Sequence, residues 1–176
     1  LKRVRAFVEI SVRRARQMQL AVGVEDIDSE AVLKLEQDGL ITRFGAESFA
    51  PAHDLLEDWA IERFIGNHFS ANESNPERFF ELIGSGLAFR RTFRHWFQAL
   101  MFDKSKETNL RTFVMNALSS NTPRHWKDEL ITCILMSESA YTYLNDLSKE
   151  LLDKDQELLK RFCFILRTTC KEPDHE

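Results

Sequence analysis

Residues 33–64 read LKLEQDGLITRFGAESFAPAHDLLEDWAIERF, and the order of elements in this stretch decides the fold. Ala31, Val32 and Leu35 fall at helical spacing, with Asp28 and Ser29 ahead of them as N-caps. Asp38-Gly39 stops that helix, because glycine supplies the left-handed residue a helix end commonly needs. Leu40-Ile41-Thr42 and Ser48-Phe49-Ala50 are β-prone runs, and Phe44-Gly45-Ala46-Glu47 between them reads as a hairpin tip. From Pro51 the period is helical again, with Ala52, Leu55, Leu56, Trp59, Ala60 and Phe64 as the expected buried stripe. His53 and Asp54 then fall in the first turn of a helix. Backbone N–H groups lack partners there and attract anions, so the pair is a candidate contact for a nucleotide phosphate.

Upstream, Val4, Phe7, Val8, Val12 and Ala15 share one helical face, with Arg3, Arg13, Arg14 and Arg16 mostly elsewhere, and Gly23 breaks the pattern. Helix, helix, strand, wing, strand is the order of a winged helix with a small β-hairpin, expected over residues 1–69. Downstream, the polar run 70–75 marks a boundary and Pro76 is placed to open a new helix. Helical patterns follow near 76–83, 87–101, 108–118, 124–136, 139–152 and 155–168, separated by turn-like residues. Residues 70–176 are therefore expected to form an all-helical domain of antiparallel pairs, as a helical repeat or a bundle, with Lys171 to Glu176 frayed. The fold class is mainly α.

The frame Leu35-Glu36-Gln37-Asp38-Gly39-Leu40-Ile41, followed by the wing and by Ala52-His53-Asp54-Leu55-Leu56, resembles the winged-helix domain of STAND-type signal-transduction NTPases. That family includes plant disease-resistance and apoptosome-type ATPases and bacterial antiviral relatives. Its triplet at this place is Met-His-Asp, and Ala52-His53-Asp54 keeps two of the three. The resemblance covers roughly residues 1–66, and the helical remainder is more loosely similar to the superhelical sensor arms of such proteins. It implies that His53 contacts the β-phosphate of ADP in a closed state, with Asp54 bracing the same corner. It also implies ADP or ATP with Mg held by a nucleotide-binding domain elsewhere in the polypeptide, an unknown protein or ligand sensed by the helical arm, and oligomerisation on activation. The chain begins at Leu1 and is read as a piece of a longer protein.

The 176 residues carry 43 % hydrophobic side chains, 14 Phe and three Trp, ample for a packed core. No apolar run approaches the roughly 18 residues that cross a bilayer, so no membrane is expected. Cys133, Cys163 and Cys170 lack metal-ligand spacing and read as reduced, core-filling thiols in a cytoplasmic protein. Charge is uneven: residues 1–20 hold six Lys or Arg against Glu9, whereas 25–40 hold Glu25, Asp26, Asp28, Glu30, Glu36 and Asp38 against Lys34. A DNA reader needs basic or amide side chains on the exposed face of its second helix, and Glu30, Glu36 and Asp38 occupy that face, so nucleic acid is not expected.

Arg90, Arg91 and Arg94, interleaved with Phe89, Phe93, Trp96 and Phe97, read as a solvated basic face over a buried stripe and as a candidate docking site for an acidic partner. His125 and Glu129 stand at i, i+4 without a third ligand, so no metal is expected. Tyr141 and Tyr143 are expected to pack. Gly84-Ser85-Gly86 is no nucleophile elbow, and the chain has neither a catalytic triad nor a Gly-rich phosphate loop, so by itself it is expected to catalyse nothing. The leading expectation is a regulatory fragment of a STAND-like ATPase. The alternatives are a winged-helix DNA-binding regulator with a helical dimerisation or sensing domain, and a non-catalytic helical scaffold.

Overall fold

The structure, a computed structural model, describes residues 1–153 and 155–169. Cys170 and the expected frayed end lie outside the described residues. The fold is mainly helical, with ten α-helices and a three-stranded antiparallel sheet among the described residues. The chain divides into two compact units: Leu1–Ala71 with Glu81–Phe93, and Asn72–Phe80 with Arg94–Glu176. The division is discontinuous in sequence, since a segment beyond residue 69 belongs with the first unit.

In the first unit, α1 (Lys2–Gln17) runs to Met18, which is left-handed at φ 51°. β1 (Val22–Gly23) follows, then α2 (Ser29–Gln37), β2 (Ile41–Phe44), β3 (Ser48–Pro51) and α3 (Asp54–Asn72). Asp28 caps α2, its Oδ1 accepting the Ala31 N–H at 2.9 Å. Gly39 ends that helix at φ 68°, a conformation a Cβ disfavours, and the Leu40 N–H reaches back to the Leu35 carbonyl at 2.9 Å. The sheet order is β1-β3-β2, with Val22 opposite Phe49 and Arg43 also opposite Phe49. The sequence pattern missed β1. Two residues are too few to show an alternation, and Gly23 reads as a break rather than as strand. Phe7, Ile10, Val22, Val32, Leu35, Ile41, Phe49 and Ala60 form the core of this unit.

Helix α3 departs from the expected stripe. It begins at Asp54, after Pro51 has paired with Ile41 in the sheet and the Ala52 N–H has bonded to the Leu40 carbonyl at 3.0 Å. Its buried row is Glu57, Ile61, Ile65 and Phe69, with Ala60, while Leu55 is 83 % and Trp59 45 % exposed. Apolar residues lie almost all round this helix, so periodicity left its inner face undecided, and the inner row is headed by a carboxylate. The helix also runs on through the start of the polar segment expected to break it.

α4 (Pro76–Ile83) opens on Pro76 as expected, and α5 (Leu87–Met101) buries Phe89, Phe93 and Phe97 at four-residue steps. In the second unit, a 3₁₀ turn (Lys104–Lys106) leads into α6 (Glu107–Ser119) and α7 (Arg124–Leu135). The core there is a cluster of rings. Phe80 stacks on Trp126 with centroids 4.9 Å apart, and Phe113 meets Phe79 edge-on at 5.6 Å. The single helix expected over 139–152 divides into α8 (Ala140–Asp146) and α9 (Ser148–Leu151). Leu147, buried at φ −82° and ψ 5°, leaves helical geometry although the bonds on either side continue. α10 (Glu157–Thr168) packs against α7 and α9. No helix among the described residues is long and apolar enough to cross a membrane.

Candidate functional site

His53 stands one position before α3 rather than in its first turn. Its carbonyl accepts the N–H groups of Leu56 at 3.0 Å and Glu57 at 3.3 Å, which makes it the N-cap residue. The hairpin delivers it there: Pro51 fixes the strand end and the Ala52–Leu40 bond turns the chain outward. His53 and Asp54 are both exposed, and neither side chain makes a hydrogen bond among the described residues. The imidazole is free to donate to an anion, and the 19-residue helix behind it presents its positive end.

The same helix end is rich in acid, carrying Asp54 and Glu57 in the first turn and Asp58 just beyond. Two arginines offset it. Arg14 of α1 pairs with Glu57, which is only 6 % exposed, and Arg91 of α5 donates to Asp58 at 2.6 Å. The Asp58 hydrogen bond chiefly, then its charge, holds the Arg91 guanidinium above its usual range, with Asp54 and Glu57 adding to it. Arg91, read as a partner contact, therefore sits beside the His53 helix end and neutralises it. Arg94 instead donates to Glu129 at 2.9 and 2.7 Å in the second unit, and Arg90 is half-buried with its N–H on the Gly86 carbonyl. Arg91 and Arg94 are thus each engaged with a carboxylate of their own unit.

The Glu57–Arg14 pair was not legible in the sequence. Its one signal is a carboxylate at the head of the i, i+4 row Ile61, Ile65, Phe69, a position where burial demands a cation. Glu57 Oε1 is buried without a hydrogen-bond partner, while its other oxygen accepts from Arg14.

The charge blocks of the sequence face each other. Lys2 pairs with Asp28 at 2.9 Å, Arg3 with Asp38 at 2.6 Å, and Arg13 with Asp26 at 2.7 Å. Glu30 and Glu36, the acids on α2, are matched by Lys34 and Arg43. Three of the six cations of the first helix are thus held by the acidic segment after it, and Arg14 is held by Glu57. Eleven residues including β1 (18–28) separate α1 from α2, far from the short turn of a helix-turn-helix reader.

Of the cysteines, Cys133 is buried, and burial pushes its thiol well above the usual range. Cys163 is exposed, against the expectation of a core thiol. Tyr143 is buried and pushed up to about 12 by that burial, whereas Tyr141 is 82 % exposed and does not pack as expected. No group of three His, Cys, Asp or Glu among the described residues could hold a metal ion. No protein-family model matches the sequence, and no curated protein matches it.

Proposed function

We propose that this chain is a regulatory, non-catalytic module: a winged-helix gate followed by part of a helical sensor arm, from a cytoplasmic STAND-type ATPase. The observation that carries the reading is His53, an exposed N-cap histidine whose side chain makes no hydrogen bond among the described residues, delivered by a β-hairpin to the positive end of a long helix. The sheet order β1-β3-β2 behind two helices supports the winged-helix assignment. The pairing of α1 with segment 25–40 speaks against the DNA-binding alternative.

His53 fits a phosphate of ADP as one donor among several. Asp54 beside it repels an anion at close range, so Asp54 serves to orient the imidazole rather than to bind. The remaining phosphate contacts and Mg belong to a nucleotide-binding domain outside these residues. In this reading, a signal on the helical arm shifts the gate between a closed and an open packing.

In the full-length protein, His53→Ala should speed ADP release about ten- to hundredfold, since a hydrogen bond to a charged group is worth roughly 1.5–3 kcal/mol. Stopped-flow loss of a fluorescent ADP analogue measures it. Unchanged release removes His53 from the nucleotide site, and steeply salt-dependent duplex binding by this chain would return the DNA reading to first place.

A further inference from the structure

Helices α1 and α3 border a groove that the gate reading does not use. Its apolar half is a cavity of about 520 Å³ walled by Val4, Phe7, Leu35, Leu40, Leu56 and Trp59, with the Arg3–Asp38 ion pair closing it. Trp59 is 45 % exposed, its ring centroid 6.2 Å from that of Phe7. Val4 also lines a second cleft, of about 840 Å³, which Arg5, Arg63 and Asn67 border. The carboxylates of that second cleft are already matched: Asp28 by Lys2, and Glu9 and Asp26 by Arg13. The side chains of Arg5 and Arg63 make no ion pair or hydrogen bond among the described residues. Arg63 lies 5.8 Å over the Trp59 ring, where the basic and apolar halves meet.

The groove therefore presents an aromatic and aliphatic floor beside two surplus guanidinium groups. We propose that it docks an amphipathic helix of a partner protein, with Leu or Phe along one face and Asp or Glu flanking them to meet Arg5 and Arg63. Charge complementarity selects the acidic partner, because every other charge bordering the cleft is already spent on a neighbour. The walls are helices and the turns that flank α2, and no strand residue lines either cavity, so the groove offers side-chain pockets rather than backbone pairing. The joined cavities exceed what a small ligand needs. A nucleic-acid backbone has no apolar stripe to fill the half walled by Val4, Phe7, Leu35, Leu56 and Trp59, whereas an amphipathic helix fits both halves.

The test uses the 176-residue chain and two fluorescein-labelled helical peptides of about five turns. The peptides share one Leu/Phe stripe, flanked by Glu in one and by Lys in the other. Fluorescence anisotropy should show the Glu peptide binding about tenfold or more tightly than the Lys peptide. Arg5→Glu with Arg63→Glu should reverse that preference, and Trp59→Ala should weaken the Glu peptide about tenfold. These side chains are exposed, and circular dichroism checks that each variant folds. Arg5→Gln with Arg63→Gln, which should abolish the preference, replaces the reversal if that variant fails. Equal binding of the two peptides, a preference indifferent to Arg5 and Arg63, or no binding by either overturns the proposal. Duplex DNA or anionic vesicles that outcompete the Glu peptide through the same arginines overturn it as well.

Discussion

Both units tie distant segments with ion pairs, Arg94–Glu129, Arg111–Asp146 and Arg161–Asp128 spanning 33 to 35 residues in the second, but the second adds a core of interlocking rings. Around the aliphatic core of the first, where Phe7 and Phe49 are the aromatic members of the cluster, Lys2–Asp28, Arg3–Asp38 and Arg13–Asp26 tie segments 13 to 35 residues apart. In the second, Phe79, Phe80, Phe97, Phe113 and Trp126 interlock with nearly all their surface buried. Exposed ion pairs contribute little each and are screened by salt. They sort one helix against another while the stabilisation comes from apolar burial. Interlocking rings supply burial and orientation together, because edge-on and stacked contacts each demand a particular angle.

The largest effect should therefore fall in the second unit. Trp126→Ala empties the centre of the ring cluster and should cost about 3–5 kcal/mol. Urea unfolding followed by far-UV circular dichroism measures it. Arg3→Ala in the same assay should stay within about 0.5 kcal/mol, since both partners of its pair are about half exposed. Equal losses from the two variants would break the comparison.

Next comes the pair that departs from the pattern of the first unit. Glu57 is 6 % exposed and pairs with Arg14, so Glu57→Ala strands a cation whose side chain is 22 % exposed. The expected cost is about 2 kcal/mol, below the full penalty of a buried charge because Arg14 can still reach water. Replacing both residues with leucine should recover much of it, as a double-mutant cycle on the same unfolding curves would show. A recovery near zero would mean that Arg14 matters through its bond to the Leu20 carbonyl at 3.1 Å instead.

What could be read in advance follows the same division. Local chemistry was legible: the Asp28 cap, the Gly39 stop, the hairpin around Gly45, the opening of α4 at Pro76 and the Phe89-Phe93-Phe97 row each depend on residues within a turn or two. Of the site, the position of His53 beside a helix end was legible to within one residue. What failed needed distant partners. The inner face of α3 is chosen by Arg14 and by the sheet, neither of which appears in the local period. β1 exists only because β3 pairs with it, and the unpaired arginines Arg5 and Arg63 stand out only once the other cations have found acids. The uneven charge of residues 1–40 was visible, but as a count it could not say that the two blocks cancel.

That cancellation can be titrated, and it gives the smallest expected effect. Hydrogen bonds from Arg13, Lys2, Lys34 and Arg43 hold Asp26, Asp28, Glu30 and Glu36, respectively, below the usual carboxylate range. A carboxyl whose folded pKa is depressed contributes stability that is fully present above its unfolded value, about 3.9 for Asp and 4.3 for Glu. That stability is lost as pH falls through the folded pKa. Asp103 in the second unit is also lowered, but by the nearby Ser105, so its protonation frees a turn and separates no distant segments. Acidification below about pH 4 should accordingly loosen α1 from α2 before it touches the ring cluster. Hydrogen exchange read segment by segment should show protection falling in residues 2–37 while residues 107–135 hold. Asp26, Asp28 and Glu30 are exposed and Glu36 is half-buried, so high salt near neutral pH should reproduce part of the loss by screening the same pairs. If both segments lose protection together in acid yet neither responds to salt, the pairs follow the fold of the first unit and do not organise it.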